Sequence, residues 1–550
     1  MFSTNQSIAN YVSQESSTFM PMKLFFLTIL ILCSTTQSKA QETVLIYLTD
    51  KDEVAAEELQ HNFTPRALAR RKKNNVQYDS RDWPVNEDYI TSLNTVGTVT
   101  GSSRWLNAVK FETNELAETL LDQFDFIESI QTFSKDAGPS AINKWEIEEA
   151  KVLNYGFADT QALQINVDCL HDLGYTGTGV FVAIIDAGFN GMDTIPYFDS
   201  LYLENRLIDS FDFVGGGSVY QYSGHGTSVS STIIAELAGT GPDAYTGTAK
   251  DVDIALYVSE DISSETQLEE FNLVAALERC DSMGVDVANI SLGYFEFDDS
   301  LTNYTYADLN GQTTISAIGV TVAASRGIIV VTSAGNSGPD HITTPADADS
   351  VLTVGAIDGF GNYAWFSGVG PSFDGRVKPD VVARGGAAWF IRSDGTLDDG
   401  NGTSFSSPIL AGAVACLVEA NPLSTAQEII QAVRESASQF TTPDTLTGYG
   451  IPDFCLPFVA ISELDGAQNI FYPLPADDCL IVESSVLISE SVVTVKLVDL
   501  SGRTILSSEV NVAGDQIQID TKLMMEGAYI LLIQDARRQQ ILNQKILVKH

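Results

Sequence analysis

Five short, almost unbroken apolar runs punctuate the middle of the chain, at residues 180–185, 253–258, 287–291, 327–332 and 351–354. A strand with one wet face alternates apolar and polar side chains. A strand covered on both faces has no wet position and reads as a continuous run. Longer helical stretches lie between the runs, notably at 265–283 and 313–326. This alternation predicts an α/β domain whose mostly parallel sheet carries helices on both faces.

At 550 residues the chain is long enough for several domains, and the pattern changes on either side of a main domain at 155–463. Ahead of it, residues 43–134 read as a compact two-layer α/β unit. Its strands fall at 44–48, 107–112 and 126–130, the middle one with period-two alternation. Thr64-Pro65 opens the basic helical run Arg66 to Arg71, and Asn114 caps a helix to Leu121. The position of this unit favours a propeptide, joined to the main domain by a polar linker at 134–154. Beyond residue 468, short strands separated by turns predict a small β-sandwich over 468–550. Residues 1–40 read as an N-terminal extension and signal peptide. Met22-Lys23 precedes the apolar run Leu24 to Cys33, and Ser38-Lys39-Ala40 carries the small residues of a cleavage site. Met20 or Met22 is then the natural start. That run is too short to span a bilayer, and no later segment reads as a transmembrane helix.

Lys and Arg number 30 against 72 Asp and Glu, a net charge of −42. Nucleic-acid backbone and anionic lipid both require clustered cations, so neither is an expected partner. The charge reads as a solvated acidic surface. Of the cysteines, Cys33 lies in the segment expected to be removed. Cys169, Cys280, Cys416, Cys455 and Cys479 remain, with no C-x-x-C spacing. Isolated buried thiols are expected in preference to a disulfide scaffold or a zinc site, with Cys455–Cys479 as the one bridge left open.

Four islands in the main domain carry chemistry. An apolar strand delivers Asp186 at its C-terminal end, where open α/β sheets place their sites. His225 opens a predicted helix between Gly224 and Gly226, which allow close approach of backbone and substrate. Ala334-Gly335-Asn336 ends another apolar strand with a neutral amide donor. Gly402-Thr403-Ser404-Phe405-Ser406-Ser407-Pro408 runs into a helix of small residues, placing Ser404 beside orphan N–H groups and the positive end of the dipole.

Together, and in the order Asp, His, Asn, Ser, these islands resemble the signatures of the subtilisin-like serine peptidases, the subtilases. The resemblance covers roughly 155–463. It implies a secreted serine endopeptidase with Ser404 as nucleophile, His225 as general base and acid, Asp186 orienting His225, and Asn336 with the Ser404 N–H as oxyanion donors. It also implies that Asn289-Ile290-Ser291-Leu292-Gly293 is the strand that pairs with an extended peptide, with Ser291, Leu292 and Gly293 as its substrate-binding residues, that Ala334-Gly335 line the specificity pocket, and that Thr344-Pro345 is cis. Ala187 departs from the pattern, many members having Thr or Ser there. No cofactor is required; the resemblance allows a structural calcium ion, but no ligand can be named and Asp308-Leu309-Asn310-Gly311 is only half of a calcium loop. The segment at 43–134 resembles the inhibitory propeptides of secreted subtilases. The C-terminal segment resembles the type-IX secretion sorting domain of Bacteroidetes through Tyr472-Pro473-Leu474-Pro475-Ala476, Asp499-Leu500-Ser501-Gly502-Arg503, Glu526-Gly527-Ala528-Tyr529 and the strand 545–549. The expected partners are protein or peptide substrates and the secretion machinery. The expected location is the medium or cell surface, reached through the periplasm. The alternative is a catalytically inactive subtilase fold serving as a surface binding module. Intact Asp186, His225, Asn336 and Ser404 argue against it.

Overall fold

The computed structural model describes residues 42–114, 119–120, 123–133, 155–237, 244–455 and most of 469–548. The signal peptide, most of the helix expected at 114–121, the linker at 134–154, the main-domain end at 456–463, and parts of the turns at 473–475, 500–503 and 525–526 lie outside the described residues.

The main sheet has seven strands. Their order is Val381–Arg384, Leu352–Ile357, Ile329–Ser333, Val287–Ile290, Phe181–Asp186, Asp253–Val258 and Leu207–Asp212. Every neighbouring pair is parallel. The apolar runs are continuous because each strand feeds two cores. Val182 and Ile184 join one cluster with the helices His225–Ile234 and Thr403–Ala420. Phe181, Ala183 and Ile185 join the other with the helices Gln267–Met283 and Ile315–Ser325. Gln267–Met283 is bounded by a capping box, Thr266 with Glu269, and by Gly284 at φ 92°. The chain passes from Phe181–Asp186 to one side of the sheet and returns through Val287–Ile290 on the other. The carboxyl ends of those two strands therefore flank the crevice of a topological switch point.

The helix Thr403–Ala420 corrects one expectation. It is long and apolar enough to cross a membrane, although no such segment was read from the sequence. It is apolar all round because it runs through the core, with 89% of its span buried.

The unit at 42–133 forms a four-stranded antiparallel sheet ordered Gly97–Ser103, Ala108–Thr113, Glu42–Leu48 and Ile127–Thr132. Its helix Pro65–Lys73 is capped by the Thr64 side chain, with Pro65 in the first turn. The basic run on that helix meets the C-terminal end of Gln267–Met283. Arg70 donates to Val285 O at 2.6 Å and to Asp281 Oδ1 at 2.5 Å. Arg71 bridges Asp281 at 2.6 Å and Asp82 at 2.5 Å. Glu278 accepts from Ser103 Oγ at 2.5 Å and from the Trp105 N–H at 3.0 Å. Part of the acidic excess is thus a receptor for this basic face.

The C-terminal residues form two antiparallel sheets around their own core. One is ordered Asn469–Tyr472, Cys479–Ser484 and Gln516–Asp520. The other is ordered Thr504–Asn511, Val492–Asp499, Gly527–Gln534 and Gln540–Val548. Lys496 Nζ reaches Leu173 O at 3.1 Å, and Gln534 Nε2 reaches Tyr175 Oη at 3.2 Å.

The cysteine expectation is also corrected. Cys169 and Cys455 form a disulfide across 286 residues, with Cα atoms 5.4 Å apart. The Phe454 N–H donates to Ile165 O at 2.9 Å and lays the two segments side by side, a pairing that only the tertiary fold brings about. Cys280 and Cys416 are buried free thiols, and Cys479 is free and half-buried.

Candidate active site

Asp186 ends its strand fully buried, and His225 begins the helix His225–Ile234. His225 Nδ1 lies 2.8 Å from Asp186 Oδ1. An ionised carboxylate only accepts, so Nδ1 carries the proton and Nε2 is left as the basic nitrogen. Gly188 stands at φ 134°, where a Cβ would approach Gln221 O and Ser223 N within 2.8 Å. Its carbonyl accepts the Gly226 N–H at 3.0 Å, fixing the histidine turn against the aspartate turn. Burial pulls the His225 imidazolium down. The Asp186 charge and hydrogen bond, with Glu260 further off, more than offset this and hold His225 above its ordinary value.

Ser404 lies in the first turn of Thr403–Ala420, and its Oγ donates to Ser291 O at 3.3 Å. In register, Ile290 lies beside Ile185 on the neighbouring strand, so Ser291 follows at the level of Asp186. Pro408 explains a local detail. It has no N–H to give the carbonyl four residues back, which frees Ser404 O. Ser291 Oγ takes that place at 3.0 Å. Asn289 Nδ2 in turn donates to Ser291 Oγ at 3.0 Å, and Ser407 Oγ to Asn289 Oδ1 at 2.8 Å. A buried polar relay therefore ties the Ser404 turn to the strand beside it.

Asn336 is exposed, three residues beyond the end of Ile329–Ser333. Its Oδ1 accepts from the Thr403 N–H at 2.9 Å and from Thr403 Oγ1 at 3.1 Å. A backbone N–H demands an acceptor, so this contact fixes which end of the amide faces Thr403. The Nδ2 donor is left pointing away from Thr403.

The substrate-strand residues sit as follows. Ser291 is buried, Leu292 half-buried and Gly293 exposed. The Gly293 N–H and C=O carry no hydrogen bond among the described residues. Ala334 and Gly335 are both buried. A Cβ at Gly293 or at Gly335 would collide with Thr343 Oγ1, so Thr343 is wedged between the two segments. Thr344–Pro345 is cis. Thr343, Thr403 and Ser407 have no role in the sequence reading, and Asn289 has only a place in the substrate-pairing strand. Asn289, Thr403 and Ser407 lie inside the quoted motifs, but their partners are set by tertiary register. Among the described residues, no group of three or more His, Cys, Asp or Glu is arranged to hold a metal ion.

Comparison with known proteins gives the family. Residues 177–450 match the subtilase family model, 43–147 the peptidase S8 propeptide domain of Bacteroidota, and 470–549 a secretion system C-terminal sorting domain. Subtilisin DY of Bacillus licheniformis is 31% identical over 279 residues, covering 50% of this chain and 89% of the relative. An alkaline protease of Alkalihalobacillus alcalophilus is 27% identical over 361 residues, covering 62% of this chain and 83% of that one. A solved cold-adapted subtilisin-like serine proteinase aligns with 26% identity and a TM-score of 0.40, over 50% of this chain and 90% of that one. The chain belongs to the subtilase family and is a serine-type endopeptidase. Its flanks add a propeptide and a sorting domain that implies export to the cell surface or the medium. None of these matches supports the inactive binding module.

Proposed function

We propose that peptide bonds are hydrolysed through Ser404, His225 and Asp186, with Asn336 and the Ser404 N–H as oxyanion donors. The 2.8 Å His225–Asp186 pair at the switch-point crevice is the observation that carries this reading. An extended substrate adds to the free backbone edge at Gly293. The Ser404 side chain turns from Ser291 toward His225 Nε2, which takes its proton as Oγ attacks the carbonyl carbon. The oxyanion is met by the helix-terminal N–H and by Asn336 Nδ2. His225 then protonates the leaving amine, and an acyl ester remains on Ser404. Water, deprotonated by His225, attacks that ester, and His225 returns the proton to Ser404 Oγ as the acid leaves. Asp186 holds the tautomer and balances the imidazolium charge. Every proton and electron pair moves among these groups and the substrate, so no step requires a cofactor. The segment at 43–134 holds the enzyme as a zymogen, and the C-terminal domain directs it through the type-IX route.

The test is labelling of the purified mature protein by a fluorophosphonate probe. Wild type is expected to label, and Ser404→Ala to lose both labelling and hydrolysis while keeping its fold. Undiminished labelling of that variant would move the nucleophile elsewhere.

A further inference from the structure

The stretches Ser291-Leu292-Gly293 and Ala334-Gly335-Asn336 are the two walls of a slot. Their strands run side by side up to the pair Ile290 and Thr332. Beyond it they part, and the Ala334 N–H turns to Val354 O at 3.0 Å. Ser333 Oγ donates to Leu292 O at 3.3 Å and ties the walls together. The floor is the chain at Thr343-Thr344. The Thr343 N–H donates to Ala334 O at 3.1 Å on one wall. Beside the other wall, the Thr344 N–H donates to Tyr294 O at 3.2 Å and the Tyr294 N–H to Thr344 O at 2.8 Å. Both walls carry glycine where they face the floor. A Cβ on Gly293 would overlap Thr343 Oγ1, and a Cβ on Gly335 would meet Thr343 Oγ1 at 2.5 Å and Cγ2 at 2.9 Å. The Thr343 side chain therefore stands between the walls in the space that two missing side chains leave. It is 8% exposed. Its Oγ1 is buried with no hydrogen-bond partner among the described residues, so packing and not a hydrogen bond holds it there.

We infer that Thr343 plugs this slot and limits the residue on the acyl side of the scissile bond to Gly, Ala or Ser. This rests on the triad reading given above. Ser404 Oγ is 3.3 Å from Ser291 O on one wall, and Asn336 at the end of the other is joined to Thr403. A carbonyl held between Ser404 and Asn336 lies over the mouth of the slot. The side chain of the residue that bears it enters between Gly293 and Gly335 and meets Thr343. A methyl or hydroxymethyl group ends above the plug. A benzyl or isobutyl group would have to displace it, and a floor hydrogen-bonded on both sides does not recede without breaking those bonds.

The test is kcat/KM of the purified mature protein on peptide p-nitroanilides that differ only in the residue before the cleaved bond, Ala against Phe. One methylene in a pocket is worth roughly 10–200-fold in selectivity, so wild type is expected to favour Ala by at least about tenfold. Thr343→Ala, which removes Oγ1 and Cγ2, is expected to raise Phe relative to Ala by roughly 10–200-fold. Thr343→Val, the same size as Thr without the hydroxyl, is expected to keep the preference for Ala. Wild type that takes Phe as readily as Ala, a ratio unmoved in Thr343→Ala, or a ratio moved as far by Val as by Ala overturns the inference and leaves the triad standing. Labelling that persists in Ser404→Ala overturns the triad itself.

Discussion

Asn336 shows how one contact selects the role of a side chain. With Oδ1 held by Thr403, Nδ2 is the end left to donate in the proposed oxyanion contact. Asn336→Ala is expected to lower kcat by roughly 10²–10³, about 2.7–4 kcal/mol on the barrier, with KM little changed. Steady-state kinetics on a peptide ester checks this, and an equal rise in KM with unchanged kcat would assign Asn336 to ground-state binding. The turns that carry Asp186, His225, Asn336 and Ser404 were legible in sequence because each sits in a short motif of glycines and small residues. The relay from Ser407 through Asn289 to Ser291 was not legible. It depends on how residue 289 is laid beside residue 407, which no local pattern encodes.

Between elements, the helix Pro65–Lys73 docks on Gln267–Met283 through a buried pairing of unlike charges. Arg71 bonds Asp281 and Asp82, all three nearly inaccessible to water. Asp281 keeps Arg70 and Arg104 when Arg71 is removed, so the loss is smaller than the about 3–5 kcal/mol of a fully stranded buried charge. Arg71→Ala should therefore weaken the hold of the propeptide and raise the activity of freshly folded zymogen. Hydrolysis before maturation measures this, and activity as low as in the parent zymogen would rule the lock out. Further along that region, burial pushes Glu260 and Glu270 up to about 7, Glu269 to about 8 and Glu265 to about 9. Raised folded values mean that the native state keeps protons the unfolded chain has lost. Stability should then fall as pH rises from about 5 toward 9, by up to about 1.4 kcal/mol per pH unit for each retained proton. Urea midpoints of Ser404→Ala should drop across that window, and Glu270→Gln should flatten the slope; a midpoint rising with pH would contradict the assignment. The central strands were legible because burial on two faces makes them continuously apolar. The edge strand Leu207–Asp212 was not, since Asp209, Ser210 and Asp212 interrupt its apolar residues and Ile208, Ser210 and Phe211 are exposed. Val381–Arg384 was missed for its brevity, with only four residues.

Over the whole molecule, the three parts have separable work. The C-terminal sheets keep their own core and touch the peptidase domain through Lys496 and Gln534 among others. Deleting residues 468–550 is expected to leave an active, folded peptidase that stays in the periplasm of its own host. Activity assays on periplasmic and extracellular fractions decide this: normal appearance of truncated enzyme in the medium would defeat the sorting role, and loss of activity in folded protein would make the tail part of the catalytic unit. The β-sandwich was foreseeable from its turn-separated strands. The Cys169–Cys455 bond was not, because its partners are distant in sequence and neighbours only in the fold. That bond has a consequence for an enzyme surrounded by copies of itself. The chain from Cys169 to Cys455 is a closed covalent ring that holds Asp186, His225, Asn336 and Ser404. One nick by a sister molecule anywhere on the ring opens it without releasing a fragment, so the cut ends stay tethered and the four residues remain on one covalent body.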